Sequence, residues 1–159
     1  MLIYSYFNIF MGDKMDNSIW HYRFLELAKN ISNWSKDPST KVGAVIFDSD
    51  KRIVSVGYNG FPKNISDDPE KYLNREIKYQ MVIHAEINAI LFAKRDLDNC
   101  SIATWPFISC SNCTGAIIQA GIKKIVSPKL PENLIERWGK SCDLSIEMYK
   151  QANVEIVFL

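Results

Sequence analysis

The chain carries almost no net charge, with 19 Lys and Arg against 18 Asp and Glu, a formal +1. That weighs against a polynucleotide partner, because domains that track a phosphate backbone usually carry a basic excess. Nor does any basic stripe with interleaved aromatics run through the sequence. A small anionic ligand needs only a few local cations and is not excluded. Long apolar runs are missing too. The apolar segment Leu2–Met11 is too short to span a bilayer and lacks the charged leader of a secretory signal, so no membrane partner is expected. Residues 1–14 read as an N-terminal extension, disordered or lying ahead of an alternative start at Met11 or Met15. Cysteine is scarce, with four in 159 residues. Glycosylation sequons begin at Asn30, Asn64 and Asn112, and the last of them contains Cys113. A reduced, cytoplasmic setting is expected, with paired cysteines used for metal rather than for disulfides.

What is present is ordinary for a globular chain: 47% hydrophobic and 23% charged residues, enough for one domain over residues 15–159. Helical spacing runs from an N-cap at Ser18 through Trp20, Phe24, Leu27, Ala28, Ile31 and Trp34 to a stop at Asp37-Pro38. Strand-like runs at Val42–Asp48 and Ile53–Tyr58 form a hairpin. Residues 63–78 have no period and read as a covering loop. A helix is expected from His84 to Arg95 with Ile87, Ile90 and Leu91 buried. Then come a strand at Ser101–Trp105, a helix from Cys110 to Ala120 stopped by Gly121, and a strand at Lys124–Ser127. A helix opened by Pro131 buries Leu134, Trp138 and Cys142, and a strand at Val154–Leu159 closes the chain. The helix–strand alternation of the second half implies parallel strands with helical crossovers.

The chemistry is concentrated in His84-Ala85-Glu86 and Cys110-Ser111-Asn112-Cys113. His84, Cys110 and Cys113 can supply three zinc ligands and leave the fourth tetrahedral position for water, whereas structural zinc sites close all four. Glu86, two residues from a ligand, is placed to move protons rather than to bind metal. Both halves fall at expected helix starts, where exposed backbone N–H groups and the helix dipole favour thiolates. Either half alone is commonplace: Cys-x-x-Cys also occurs in redox pairs and structural sites. Together and in this order they are the pattern of zinc nucleobase deaminases. His21 reads as structural, and Cys100 and Cys142 as small core residues.

With these residues in hand, the chain resembles the deoxycytidylate (dCMP) deaminases of the cytidine deaminase superfamily from about residue 18 onward. The likeness extends through Ser35-Lys36-Asp37-Pro38, Val42-Gly43-Ala44, Gly57-Tyr58-Asn59-Gly60-Phe61-Pro62, Lys78-Tyr79, Asn88-Ala89-Ile90 and Ile117–Ile122. It implies a three-layer α/β/α fold around a five-stranded mixed sheet, with Zn2+ on His84, Cys110 and Cys113 and Glu86 as proton shuttle. It further implies that Asn59 meets the sugar, that the carbonyl near Thr104 or Trp105 accepts from the cytosine amine, and that Trp105 walls the ring. A homo-oligomer, often a hexamer, activated by dCTP and inhibited by dTTP through the loop Gly60, Phe61, Pro62 and Asn64, is also implied.

Three departures from that family stand out. Ser109 replaces the usual proline before the first metal cysteine, and Pro106 comes earlier, in a loop about one residue longer. Asn64 stands where many relatives have glycine, and asparagine tolerates the left-handed conformation better than most residues. Trp34 stands where some relatives have an arginine next to Ser35. If that arginine serves the phosphate, Lys36 and Lys78 are the candidate replacements. The competing expectations are another small substrate (dCTP, cytidine or a pyrimidine of riboflavin synthesis) and, from a different class, a non-catalytic zinc-stabilised module that would have no need of Glu86.

Overall fold

The computed structural model describes residues 4–159, with side chains from Ser18 onward. The expectation that residues 1–14 form a disordered or non-native extension falls outside the side chains described. The first helix, α1 (Tyr4–Ser32), contains Ser18 rather than being capped by it, and it stops before Asp37-Pro38. A hairpin follows, of β1 (Gly43–Phe47) and β2 (Ile53–Tyr58), paired antiparallel. On its other edge β1 pairs antiparallel with β3 (Ser101–Trp105). The strands β4 (Lys124–Ser127) and β5 (Glu155–Phe158) then add in parallel, giving the order β2-β1-β3-β4-β5. The mixed sheet and its parallel half are thus as expected.

The pleat of β1 divides the core. Val45 and Phe47 face α1, where they meet Phe24, Ala28 and Ile31. Ala44 and Ile46 face the opposite layer, made by α4 (Ala85–Ala93), α5 (Ser111–Gln119) and α6 (Ile135–Gln151). All five residues of β1 are buried, and successive side chains point to opposite layers, as period-2 geometry requires when helices cover both faces. Gly121 lies at φ +84° and ends the α5 turn as expected. Cys100 and Cys142 are buried free thiols within the core.

Two further expectations fail. Residues 63–78 are not all loop: they hold α2 (Pro69–Leu73) and the start of α3 (Arg75–Met81), capped by the side chains of Asp68 and Asn74. The buried face of α4 is Ala85, Glu86 and Ala89, while Leu91 is exposed and Ile87 and Ile90 are half-buried. The reason lies in β2. A Cβ added at Gly57 would collide with the carbonyl of Ala85 and the amide of Ala89. The helix lies so close to the strand that only small side chains fit between them, and the large ones turn outward.

Candidate metal-dependent active site

His84 and Cys110 occupy the same structural position, the N-cap of a helix. Their backbones are extended (φ −72°, ψ 155° and φ −67°, ψ 163°), and neither helix has a side-chain cap. The first-turn N–H groups of α4 and α5 therefore bring partial positive charge to these two side chains. Backbone pairing fixes the approach to His84, since Ile83 and Gly60 exchange hydrogen bonds of 2.9 and 3.1 Å. Asn88, one turn later, donates to the carbonyl of Tyr58 at 2.8 Å and ties α4 to the end of β2.

The Nδ1 atom of His84 lies 3.4 Å from Cys110 Sγ and 3.3 Å from Cys113 Sγ. Bonds of about 2.1 Å to nitrogen and about 2.3 Å to sulfur at a tetrahedral angle would separate those atoms by about 3.6 Å. The donor set and its spacing fit zinc. Among the described residues no other group of His, Cys, Asp and Glu side chains converges in this way. A hydrogen bond from Cys113 holds the Cys110 thiol down to about 4, and His84 adds to the effect. Cys113 is pushed up by the same bond and by burial. His84 is raised by its bond to Cys110. One thiolate is thus available at neutral pH, as metal capture requires. His21 lies on α1, away from this cluster and near Lys124 and Glu155. Burial lowers its pKa.

Beside the cluster is a cleft lined by apolar side chains and a few polar and charged ones, the make-up of a small-ligand site. Glu86 lines it and is buried, and desolvation pushes its carboxyl above the ordinary value, against the pull of His84. Two buried side-chain polar atoms among the described residues have no hydrogen-bond partner: Glu86 Oε2 and Trp138 Nε1. Both belong to residues lining this one cleft. Buried polar groups are nearly always satisfied, so an orphan acceptor and an orphan donor at one cavity mark where a ligand or water completes the bonding.

The other expected residues divide. Asn59 lines the cleft, but its amide donates to Thr40 O (2.9 Å) and Asp37 Oδ2 (3.4 Å) while its oxygen accepts from Val42 N–H (2.8 Å). Both donors are used, and one lone pair remains for a ligand. Ser35 does not line the cleft. It donates to the Asn59 carbonyl at 2.8 Å and so holds Asn59 in place. Lys36 is exposed and bound to Asp67 at 2.7 Å, away from the lining. Lys78 does line the cleft, buried in an ion pair of 2.8 Å with Asp37.

Thr104 is fully buried in β3 and donates to the Phe107 carbonyl at 3.1 Å. Trp105 faces the α1 side, with Lys29 over its ring. Neither lines the cleft, whose aromatic lining is instead Phe107, Trp138 and Tyr79, the first two with ring centroids 5.6 Å apart. The loop from Pro106 to Ser109 carries Phe107 past the end of β3 to the cleft.

Gly60 pairs with Ile83, Phe61 stacks on Tyr72 at 4.0 Å, and Asn64 takes the left-handed conformation at φ +69°. Sequence reasoning missed Phe107 and Arg137 at the cleft and gave Trp138 and Asp37 only structural roles. The signal for Arg137 was available: it is a cation in the first turn of a helix, where the dipole disfavours positive charge.

A deaminase of Aliivibrio fischeri, described as uncharacterized and encoded in the luxG 3′ region, is 49% identical over 142 residues, covering 89% of this chain and 95% of its own length. Human deoxycytidylate deaminase is 39% identical over 115 residues, 67% of this chain. The probable deoxycytidylate deaminase of Caenorhabditis elegans is 44% identical over 109 residues, 66% of this chain. The chain spans only 63% and 55% of those two proteins. The dCMP deaminase of cyanophage S-TIM5 superposes with a TM-score of 0.67 at 22% identity, over 87% of this chain and 96% of its own, and shares the fold. The family described as the cytidine and deoxycytidylate deaminase zinc-binding region matches residues 18–128, a span containing both halves of the metal cluster and Glu86. By that match over more than half its length, the chain belongs to the cytidine and deoxycytidylate deaminase family.

Proposed function

We propose that the protein hydrolyses dCMP to dUMP and ammonia, with zinc on His84, Cys110 and Cys113. The observation that carries the reading is the buried, unpartnered Glu86 oxygen on a cleft that also borders His84 and Cys110. When bound, zinc supplies a Lewis acid that makes water nucleophilic near neutral pH. Glu86 accepts one proton from the water as its oxygen bonds to C4 and passes that proton to the ring nitrogen. It then takes the second proton from the new C4 hydroxyl and delivers it to the amine, so the C4–N bond breaks, ammonia leaves and the C4 carbonyl forms. A carboxyl raised by burial is suited to both directions of transfer. Phe107 and Trp138 flank the ring and keep bulk water out, and the free lone pair of Asn59 accepts from a sugar hydroxyl. The deoxycytidylate deaminases among its relatives and the S-TIM5 enzyme solved with dCMP and dUMP support the choice of nucleotide. Ammonia release from dCMP, dCTP, deoxycytidine and cytidine in parallel tests it. Preference for an unphosphorylated nucleoside would move the substrate assignment and keep the chemistry.

Arg137 carries the preference for a phosphate. It lines the cleft, donates to Tyr79 Oη at 2.8 Å and has no carboxylate within ion-pair distance among the described residues. Lys78, by contrast, is already neutralised by Asp37. Hydrogen bonds to a charged group contribute about 1.5–3 kcal/mol. Arg137→Ala is therefore expected to lower selectivity for dCMP over deoxycytidine by about 10- to 100-fold, mainly through KM. Unchanged selectivity would assign the phosphate elsewhere.

The proposal includes activation by dCTP and inhibition by dTTP through Gly60–Asn64. In support, Asn59 immediately precedes this segment, and Gly60 is bonded to the residue before His84. Added dCTP should raise kcat/KM for dCMP, and no response to either nucleotide would remove the regulatory part. Assembly into a homo-oligomer belongs to the same reading, with exposed Leu91 and Phe92 on α4 offering apolar surface for it.

A further inference from the structure

We infer that α6 positions the metal ligand Cys110 through a one-way chain of buried hydroxyls that begins at Tyr149. Ser141, Ser145 and Tyr149 are spaced by four and so share one stripe of the helix. Each reaches the loop that presents the ligand. Tyr149 Oη is 2.6 Å from Ser109 Oγ, which is 2.9 Å from Thr114 Oγ1. Thr114 donates to the Cys110 carbonyl at 3.0 Å. Ser145 Oγ lies 2.8 Å from both the Ser109 carbonyl and the Ser141 carbonyl of its own helix and shares its one hydrogen between them, and Ser141 Oγ accepts the Ser111 N–H at 3.0 Å. The residues before, at and after the ligand are therefore all held from one side.

Counting hydrogens fixes the direction. A hydroxyl has one hydrogen. Thr114 uses its own on a carbonyl, so Ser109 must donate to Thr114. That uses the Ser109 hydrogen, so Tyr149 must donate to Ser109. The order Tyr149→Ser109→Thr114→Cys110 has no alternative with every bond kept. Ser109, Thr114, Ser145 and Tyr149 are at most 1% exposed, so no water substitutes for a lost member. The Thr114 bond to the carbonyl four residues back is common in helices and by itself says little. The long-range links from Tyr149 and Ser145 are what bring a distant helix to the ligand. By the family resemblance a proline, which has neither hydroxyl nor N–H, is usual at the Ser109 position; in this chain the loop is held to α6 by hydrogen bonds through Ser109.

This inference rests on the metal reading above. Its test is zinc affinity, measured by competition with a chromogenic chelator at fixed pH, with the melting temperature of the metal-free protein as control. Loss of an outer partner of a ligand typically costs 10- to 100-fold in metal affinity. Tyr149→Phe and Ser145→Ala should each weaken zinc by about 10- to 100-fold, and Ser145→Thr, which keeps the hydroxyl, should restore it. If Tyr149→Phe does not fold, Ser109→Ala removes the middle of the chain with a smaller change of shape and carries the same expectation. A lowered melting temperature with unchanged zinc affinity would reduce the network to core packing and overturn the positioning role. Wild-type protein that takes up no zinc would instead overturn the metal reading, and this inference with it.

Discussion

Glu86→Gln is expected to lose deamination by about 10³- to 10⁴-fold, near the upper end of what one general acid–base group contributes, while still binding zinc. The substitution keeps the volume and one oxygen acceptor but cannot take up or release a proton near neutral pH. The reaction needs at least two transfers through the same group, so no single step can be rescued by a favourable protonation state. Stability should not suffer. The carboxyl is buried, and desolvation already disfavours its charged form, so a neutral amide carries a smaller desolvation cost. Ammonia release and zinc content measured on one preparation separate the two roles. Turnover like that of the wild type would remove Glu86 as the shuttle. A variant that lost its zinc as well would show that the carboxylate supports the metal rather than the proton transfers.

Cys113→Ser is expected to lose zinc and activity together, and His84→Ala to do the same. Three donors converge, and no further His, Cys, Asp or Glu joins them among the described residues, so no spare ligand can take over. A serine hydroxyl does not ionise near neutral pH and is a poor substitute for a thiolate. The protein provides a second readout. A ligand that binds only the folded state raises its stability, so zinc should raise the melting temperature of the wild type, and the rise should be absent from both variants. Chelation of the wild type should reproduce their inactivity, and added zinc should reverse that loss in the wild type alone. Full activity of metal-free wild type would overturn the metal assignment altogether.

Much of the architecture could be read before any coordinates because its signals are local. The strands are short apolar runs set off by polar turns. The ligands lie beside residues whose spacing already implied helix starts, and Gly121 marked the end of α5. What stayed hidden depends on approach between distant segments. The buried face of α4 could not be seen from periodicity, since Leu91 faces outward only because β2 comes so near at Gly57. Trp105 was the plausible ring wall until the loop beyond β3 put Phe107 there instead. Lys36 and Lys78 looked alike in the chain, yet one is paired on the surface and the other is buried at the cleft. The helices α2 and α3 are too short to show a period. Asp68-Pro69, an N-cap followed by proline in the first turn, was the available sign of the first.

Gly57 also has a counterpart. It pairs with Ala44, next to Gly43, whose missing side chain lets the backbone of α1 approach at Ala28 and Ser32. Helices press on both faces of the sheet at neighbouring rungs, so the three layers are pinched at the end nearest Asn59 and His84. Toward Ile46 and Phe47 the layers are separated by full-sized side chains. Tolerance of sequence drift should therefore be graded along the hairpin. A change of size at the far end can be absorbed by the helices tilting about the pinch, which leaves the ligands almost where they were. The same added volume at the pinch would act as a wedge and move α4 as a whole.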